Sequence, residues 1–304
     1  MPRIVSLISS ATEILHALGQ TPNQVGRSHE CDFPPGVAAL PVCTKPAIDI
    51  HADSREIDRA VKDRVRNALS VYEVFDEVLE RLQPTHIITQ TQCEVCAVSL
   101  RDVERSVAAR LASSPKIVSL TPNSLSDVWD DIRRVAGALE IVEHGESTVA
   151  SLQGRMCNIS DRARRAGARP RVACIEWQEP LMAVGNWMPQ LVEMAGGINL
   201  LGESGKHSGY LQWTELVMAD PDVIVISPCG FDLARTVQQM YWLTERPEWS
   251  QLRAVQNRRV YLADGNQYFN RPGPRLVETL EILAEILHPE TFEPAFEGPG
   301  WQKL

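Results

Sequence analysis

Short β-branched apolar runs recur along this chain, each closed by turn-forming or polar residues and followed by a helical pattern. The first is Ile4-Val5-Ser6-Leu7-Ile8, ended by Ser9-Ser10. A run this short, with little polar alternation, reads as a strand buried on both faces. Strands are expected at 3–7, 24–27, 85–89 and 116–120, and again at 171–175, 223–227 and 259–262. Helical patterns fill the gaps: 10–18 with Gly19 as its stop, 54–82 in two pieces, 99–111, 189–194, 214–219, 233–243 and a closing amphipathic helix over 275–287. Alternation of this kind implies βαβ units and a mainly parallel sheet. Residues 29–50, with Pro34, Pro35, Pro41 and Pro46, read as loop. The tail from Pro289 reads as loosely packed.

The alternation stops once. Residues 124–167 carry no strand pattern; Val128, Ile132, Val135, Ala136 and Leu139 form an apolar stripe, and a break is expected near His144-Gly145. A second helix follows over about 147–166, with Arg155, Arg162, Arg164 and Arg165 towards its end, where cations suit the helix dipole. The expected organisation is an α/β lobe over 1–122, a helical connector over 123–168 and a second α/β lobe over 169–304. Ligands of parallel sheets bind beyond the carboxyl ends of the strands, so the strand-end loops are where function is sought.

Composition excludes several classes. The 304 residues are 44% hydrophobic and 23% charged, an ordinary globular balance. No stretch approaches the ~20 consecutive apolar residues of a membrane-spanning helix. A net charge of −9 argues against nucleic-acid binding. No apolar signal region follows Met1-Pro2-Arg3, so a cytoplasmic location with reduced thiols is expected, or a periplasmic one if a leader has been lost. Nucleophile-elbow, phosphate-loop, zinc-helix and dinucleotide fingerprints are absent.

The strand-end loops hold the candidates. Ser9 and Ser10 precede Glu13 at a helix start, where they either cap the helix or meet a polar ligand edge. Ser28-His29-Glu30-Cys31-Asp32 concentrates polar groups after the second strand. Gln92-Cys93-Glu94-Val95-Cys96 sets a C-x-x-C at a loop-to-helix junction. With Cys31 and Cys43, Cys93 and Cys96 supply the four thiolates of a metal site, or reactive thiols, or neither. Cys157, Cys174 and Cys229 read as small core residues. In the second half, Trp177, Trp187, Tyr268 and Phe269 offer wide aromatic faces suited to a large flat ligand, against the alternative that each is core.

Taken together, Arg3-Ile4-Val5-Ser6-Leu7-Ile8-Ser9-Ser10-Ala11-Thr12-Glu13, Leu82-Gln83-Pro84-Thr85-His86-Ile87-Ile88, Ala219-Asp220-Pro221-Asp222-Val223-Ile224-Val225 and Pro274-Arg275-Leu276-Val277-Glu278 resemble the vitamin B12 and iron-siderophore substrate-binding proteins of ABC importers. The His29-Glu30-Cys31-Asp32 and Cys93-Glu94-Val95-Cys96 pairing is similar to a cobalamin-binding subgroup. The resemblance implies two α/β lobes joined by a long rigid helix, with a ligand cleft between them. It implies capture of cobalamin or another corrinoid without catalysis and without a required cofactor, by a monomer serving an ABC permease. Ser9, Ser10, His29, Glu30, Cys31, Gln92, Cys93, Trp177, Trp187, Tyr268 and Phe269 are the expected ligand contacts, with His29 or a cleft thiolate as a possible axial ligand to cobalt. Glu77 falls where the family's first permease-docking acid is expected, and Asn186 near the place of the second. Other readings are an iron chelate or haem on the same fold, and a thiol or metal-cluster protein built on Cys31, Cys43, Cys93 and Cys96.

Overall fold

The computed structural model describes residues 1–67, 70–91, 103–104 and 114–304. The chain divides into two compact units, Met1–Pro122 with Ser126–Ser151, and Asn123–Leu125 with Leu152–Leu304. It is a mixed α/β protein, as the alternation predicts.

In the first unit the strands are β1 (Ile4–Ser6), β2 (Gln24–Arg27), β3 (Thr44–Pro46), β4 (Tyr72–Val74), β5 (His86–Gln90) and β6 (Lys116–Leu120). Four of them form a parallel sheet in the order β2-β1-β5-β6. Ile4, Val5 and Ile87 have no exposed surface, which is why these runs carry no polar alternation. Burial of each such side chain is worth about 1.5–3 kcal/mol. Gly26 is needed on β2 because a Cβ there would lie 2.7 Å from Leu82 Cδ1 and 2.8 Å from Cys43 Sγ.

One expectation is met in part. Residues 54–82 hold the two expected helical pieces, but they are not contiguous helix. Helix Ser54–Arg66, capped by the Asp53 carboxylate accepting from the Glu56 amide at 2.9 Å, is separated from helix Asp76–Leu82 by strand β4. β4 pairs antiparallel with β3, from the segment read as loop, and Lys45 and Glu73 form a 2.9 Å ion pair across the ribbon.

The helical span comprises Leu125–Ala138 and Val142–Arg165. The break falls between them, not at His144-Gly145. Gly145 lies inside the second helix, where a Cβ would come 2.4 Å from Ala136 Cβ. The glycine serves close approach of two helices, at the usual helix-propensity cost of about 1 kcal/mol. No helix of the described residues is long and apolar enough to cross a membrane.

The second unit contains β7 (Arg171–Gln178), β8 (Leu181–Ala183), β9 (Ile198–Asn199), β10 (Val223–Ile226), β11 (Val260–Ala263) and β12 (Trp301–Lys303). Its sheet runs β12-β11-β10-β7-β8, with β9 also paired to β7. β7, β10 and β11 are parallel, whereas β8 and β12 run antiparallel to their neighbours. Ala173, Ile175, Ile224, Ile226 and Leu262 meet Leu216, Leu243 and Trp249 in its core. The helix expected over 233–243 is two pieces, Leu233–Gln238 and Tyr241–Thr244.

The tail is packed, contrary to its composition. Its last strand, β12, pairs with β11, and Trp301 and Phe292 are buried. Buried Glu285 anchors it: the carboxylate accepts from the Trp301 indole N–H at 2.7 Å and from the amides of Ala295 and Phe296 at 3.1 and 3.2 Å. A long-range polar anchor of this kind leaves no local signature in a Pro/Glu/Gly-rich segment.

Candidate functional site

The carboxyl end of β2 is the densest polar feature of the first unit. Buried Thr44, brought in by β3, accepts the His29 amide at 3.1 Å, meets His29 Nδ1 at 2.8 Å and donates to Ser28 Oγ at 3.0 Å. Tyr72, on β4, donates its hydroxyl to Glu30 Oε1 at 2.7 Å and sets its ring 5.2 Å from the His29 imidazole. The β3–β4 ribbon thus supplies two partners that motif reading missed; Tyr72 stands 42 residues from Glu30. Burial, with help from the Arg27 guanidinium, holds the His29 pKa down to about 4, so the ring is neutral at pH 7. Its Nε2 is enclosed and lies 3.9 Å from Glu30 Oε1, so in this form His29 offers no open position to a metal.

The cysteines of this region are interior. Cys31 Sγ lies 3.0 Å from Thr12 Oγ1, which itself lies 2.9 Å from Ser6 Oγ and accepts from Gln24 Nε2 at 3.1 Å. Burial pushes the Cys31 thiol up to about 11 and the Cys43 thiol up to about 12. Both hold their protons at neutral pH, which removes them as ready thiolate ligands or nucleophiles. Among the described residues no group of three or more His, Cys, Asp or Glu could hold a metal ion. Gln92, Cys93 and Cys96 lie outside the described residues. Of the remaining thiols Cys174 is buried, but Cys157 and Cys229 are exposed and so are not core.

Ser9 and Ser10 do not cap their helix. The helix is Ser9–Ala17, its N-cap is Ile8, and no side chain caps it. Ser9 is 8% exposed and Ser10 fully buried. Glu77 is exposed in the first turn of helix Asp76–Leu82.

In the second unit the aromatic candidates separate into two kinds. Trp187 and Phe269 are interior: the Trp187 indole N–H donates to the Phe269 carbonyl at 3.1 Å, and Phe269 has no exposed surface. Trp177, at the end of β7, is partly exposed and packs 5.1 Å from Phe231, over whose ring the Arg235 guanidinium sits at 3.8 Å. Tyr268 is nearly buried, held between Phe296 and the Arg275 guanidinium, the latter 4.4 Å from its ring centre. After β11, the Asp264 carboxylate accepts the amides of Asn266 and Gln267 at 2.9 and 2.7 Å, and Arg271 donates to Asn266 Oδ1 at 3.1 Å. Gly265 permits this turn, since a Cβ would lie 2.0 Å from the Pro228 carbonyl oxygen. Phe231, Arg235 and Arg271 were not picked out from sequence; a cation after an aromatic is too common a pattern to mark them. Asn186 adopts a positive φ of 51°, a conformation asparagine tolerates, and its amide donates to the Lys206 carbonyl.

The periplasmic binding protein family model matches residues 4–266. An uncharacterized ABC transporter substrate-binding lipoprotein of Bacillus subtilis is 24% identical over 295 residues, covering 96% of this chain and 81% of that protein. A vitamin B12-binding protein of Vibrio cholerae is 23% identical over 288 residues, covering 94% and 88%. A periplasmic heme binding protein from Pseudomonas aeruginosa shares the fold with a TM-score of 0.74 and 18% identity, over 100% of this chain and 98% of that one. These relatives lend no support to a cytoplasmic location. The match over most of its length makes this chain a member of the periplasmic binding protein family.

Proposed function

We propose that this chain is a substrate-binding protein of the ABC-importer type and that its ligand is cobalamin or a related corrinoid. The observation that carries the reading is the chemistry of the strand ends. In the first unit they hold hydroxyls, backbone amides and carboxylates at Ser9, Ser10, Ser28 and Glu30. In the second they hold large rings at Trp177 and Tyr268 and the amide side chains of Asn266 and Gln267. A corrinoid has a counterpart to each kind of group, an apolar face for rings and a rim of amides for hydrogen-bonding groups. The similarity to a vitamin B12-binding protein along 94% of the chain supports the choice of ligand. Exposed Glu77 is proposed as a contact with the permease. The chain captures and releases its ligand and makes no bond in it.

Titration of the purified protein with cobalamin, cobinamide, haem and a ferric hydroxamate, read by visible absorption and by melting temperature, tests this. A corrinoid at about 100 times its Kd should stabilise the fold by about 2.7 kcal/mol. Stabilisation by haem or the ferric chelate alone would replace the corrinoid with that ligand.

A further inference from the structure

The Pro/Glu/Gly-rich tail packs against the strand-end turn that follows β11. A relay of bonds starts at Glu285, whose carboxylate accepts the amides of Ala295 and Phe296 and so fixes Phe296. The Phe296 carbonyl accepts the amides of Gly300 and Trp301 at 2.8 and 3.1 Å. That sets the Gly300 carbonyl, which accepts the Asp264 amide at 2.9 Å. A Cβ at Gly300 would lie 2.9 Å from Ile282 Cδ1 and 3.1 Å from Phe296 Cβ, so this close approach requires glycine. The Phe296 ring meets Tyr268 edge-on, with ring centres 5.8 Å apart and planes at 80°.

The turn over 264–269 has two sets of supports. At its far end the backbone is held by the body of the second unit: the Thr279 hydroxyl donates to the Tyr268 carbonyl at 3.0 Å, and the Trp187 indole to the Phe269 carbonyl. At its near end the buried Asp264 carboxylate gathers the amides of Asn266 and Gln267, and the Asn266 amide also reaches the Phe231 carbonyl at 3.0 Å. The tail supplies the acceptor for the Asp264 amide and the edge against the Tyr268 ring. Within the turn Asn266 and Gln267 are the part-exposed residues, so they are the ones that present surface to a ligand. A surface held in its binding form beforehand loses less conformational freedom on capture, and that saving appears as affinity.

We infer that the C-terminal tail, residues 289–304, is a positioning element for ligand capture, with Phe296 as its positioning residue. It holds the turn over 264–269 in the form that presents Asn266 and Gln267. This rests on the substrate-binding reading and deepens it, by assigning the rigidity of that surface to a segment outside the strand-end loops.

The test compares the full chain with Phe296→Ala, which keeps the backbone bonds to Glu285 and removes the ring, and with Phe296→Tyr, which restores an edge. Hydrogen exchange of the ligand-free Phe296→Ala protein should accelerate about three- to tenfold over 264–269, the range one edge-to-face contact accounts for, with Val223–Ile226 unchanged. The Kd of whichever of cobalamin, haem and a ferric hydroxamate binds wild type should rise by about the same factor. Phe296→Tyr should return both quantities to wild type. Exchange over 264–269 that stays unchanged, or that rises equally in Val223–Ile226, overturns the positioning role. Faster exchange in the turn with an unaltered Kd overturns the tail's part in capture. Binding of haem or the ferric chelate alone overturns the corrinoid reading, while the Kd of that ligand still decides the tail. Failure of all three to bind wild type overturns both.

Discussion

His29 Nδ1 and Thr44 Oγ1 lie 2.8 Å apart, and the His29 amide donates to the same oxygen at 3.1 Å. Thr44 thereby holds both the backbone and the ring of His29. With the imidazole part-buried and its pKa depressed to about 4, the folded state binds the neutral ring. The unfolded chain protonates it near 6.5, so its contribution to stability is complete above pH 6.5 and falls away as pH drops towards 4. The full linkage is on the order of 2 kcal/mol after allowance for solvent screening. Denaturant unfolding of wild type and His29→Asn between pH 4 and 7.5 should show a smaller loss at low pH in the variant. Parallel curves would mean that His29 is not the group concerned.

The same enclosure of Nε2 bears on ligand chemistry. The visible spectrum of a bound corrinoid should be unchanged in His29→Ala, although the protein is less stable. A shifted spectrum would show that the ring turns out to ligate the metal on binding.

Two glycines of helix Val142–Arg165 should respond to alanine with opposite sign. Gly145→Ala places a methyl 2.4 Å from Ala136 Cβ. The helices must part, and a net loss of about 1–3 kcal/mol is expected despite the better propensity. Gly154 is exposed with nothing within 4 Å of the added carbon. Gly154→Ala should stabilise by about 0.5–1 kcal/mol. Thermal or urea unfolding separates the two.

Glu285→Ala should detach the tail. Three donors lose one acceptor, and a loss of about 2–4 kcal/mol is expected from the unpaired groups together. Amide exchange in Trp301–Lys303 should accelerate more than exchange in β10. Equal acceleration in both would make Glu285 a determinant of the whole unit rather than of its last strand.

Trp187 and Trp177 should separate stability from affinity. Trp187→Phe removes the donor to the Phe269 carbonyl and should cost about 1–2 kcal/mol of stability with ligand affinity little changed. Trp177→Ala, at the partly exposed strand end, should weaken ligand binding at least as much as it weakens the fold. The reverse pattern would place the ligand elsewhere.

Much of the frame was legible before any coordinates. Runs such as Lys116–Leu120 became strands at the expected residues, because a short β-branched run between turn signals has few other uses. Gly19 ends its helix as expected, with a φ of +67° that favours glycine. The candidate site was legible only as a set of loops. His29 and Glu30 were marked by their density, but Thr44 and Tyr72, which orient them, sit in a ribbon whose pairing is non-local.

By itself, then, the sequence determined the α/β class, the parallel strands and the strandless helical span, since periodicity and turn chemistry act between near neighbours along the chain. Tertiary structure alone decided that Tyr72–Val74 is a strand, that Gly145 is a contact and not a break, that Trp187 is interior while Trp177 is not, and that Ile8 rather than a serine stands at the helix start. The first three depend on which other residue arrives alongside, and such partners leave no periodic trace in the order of residues.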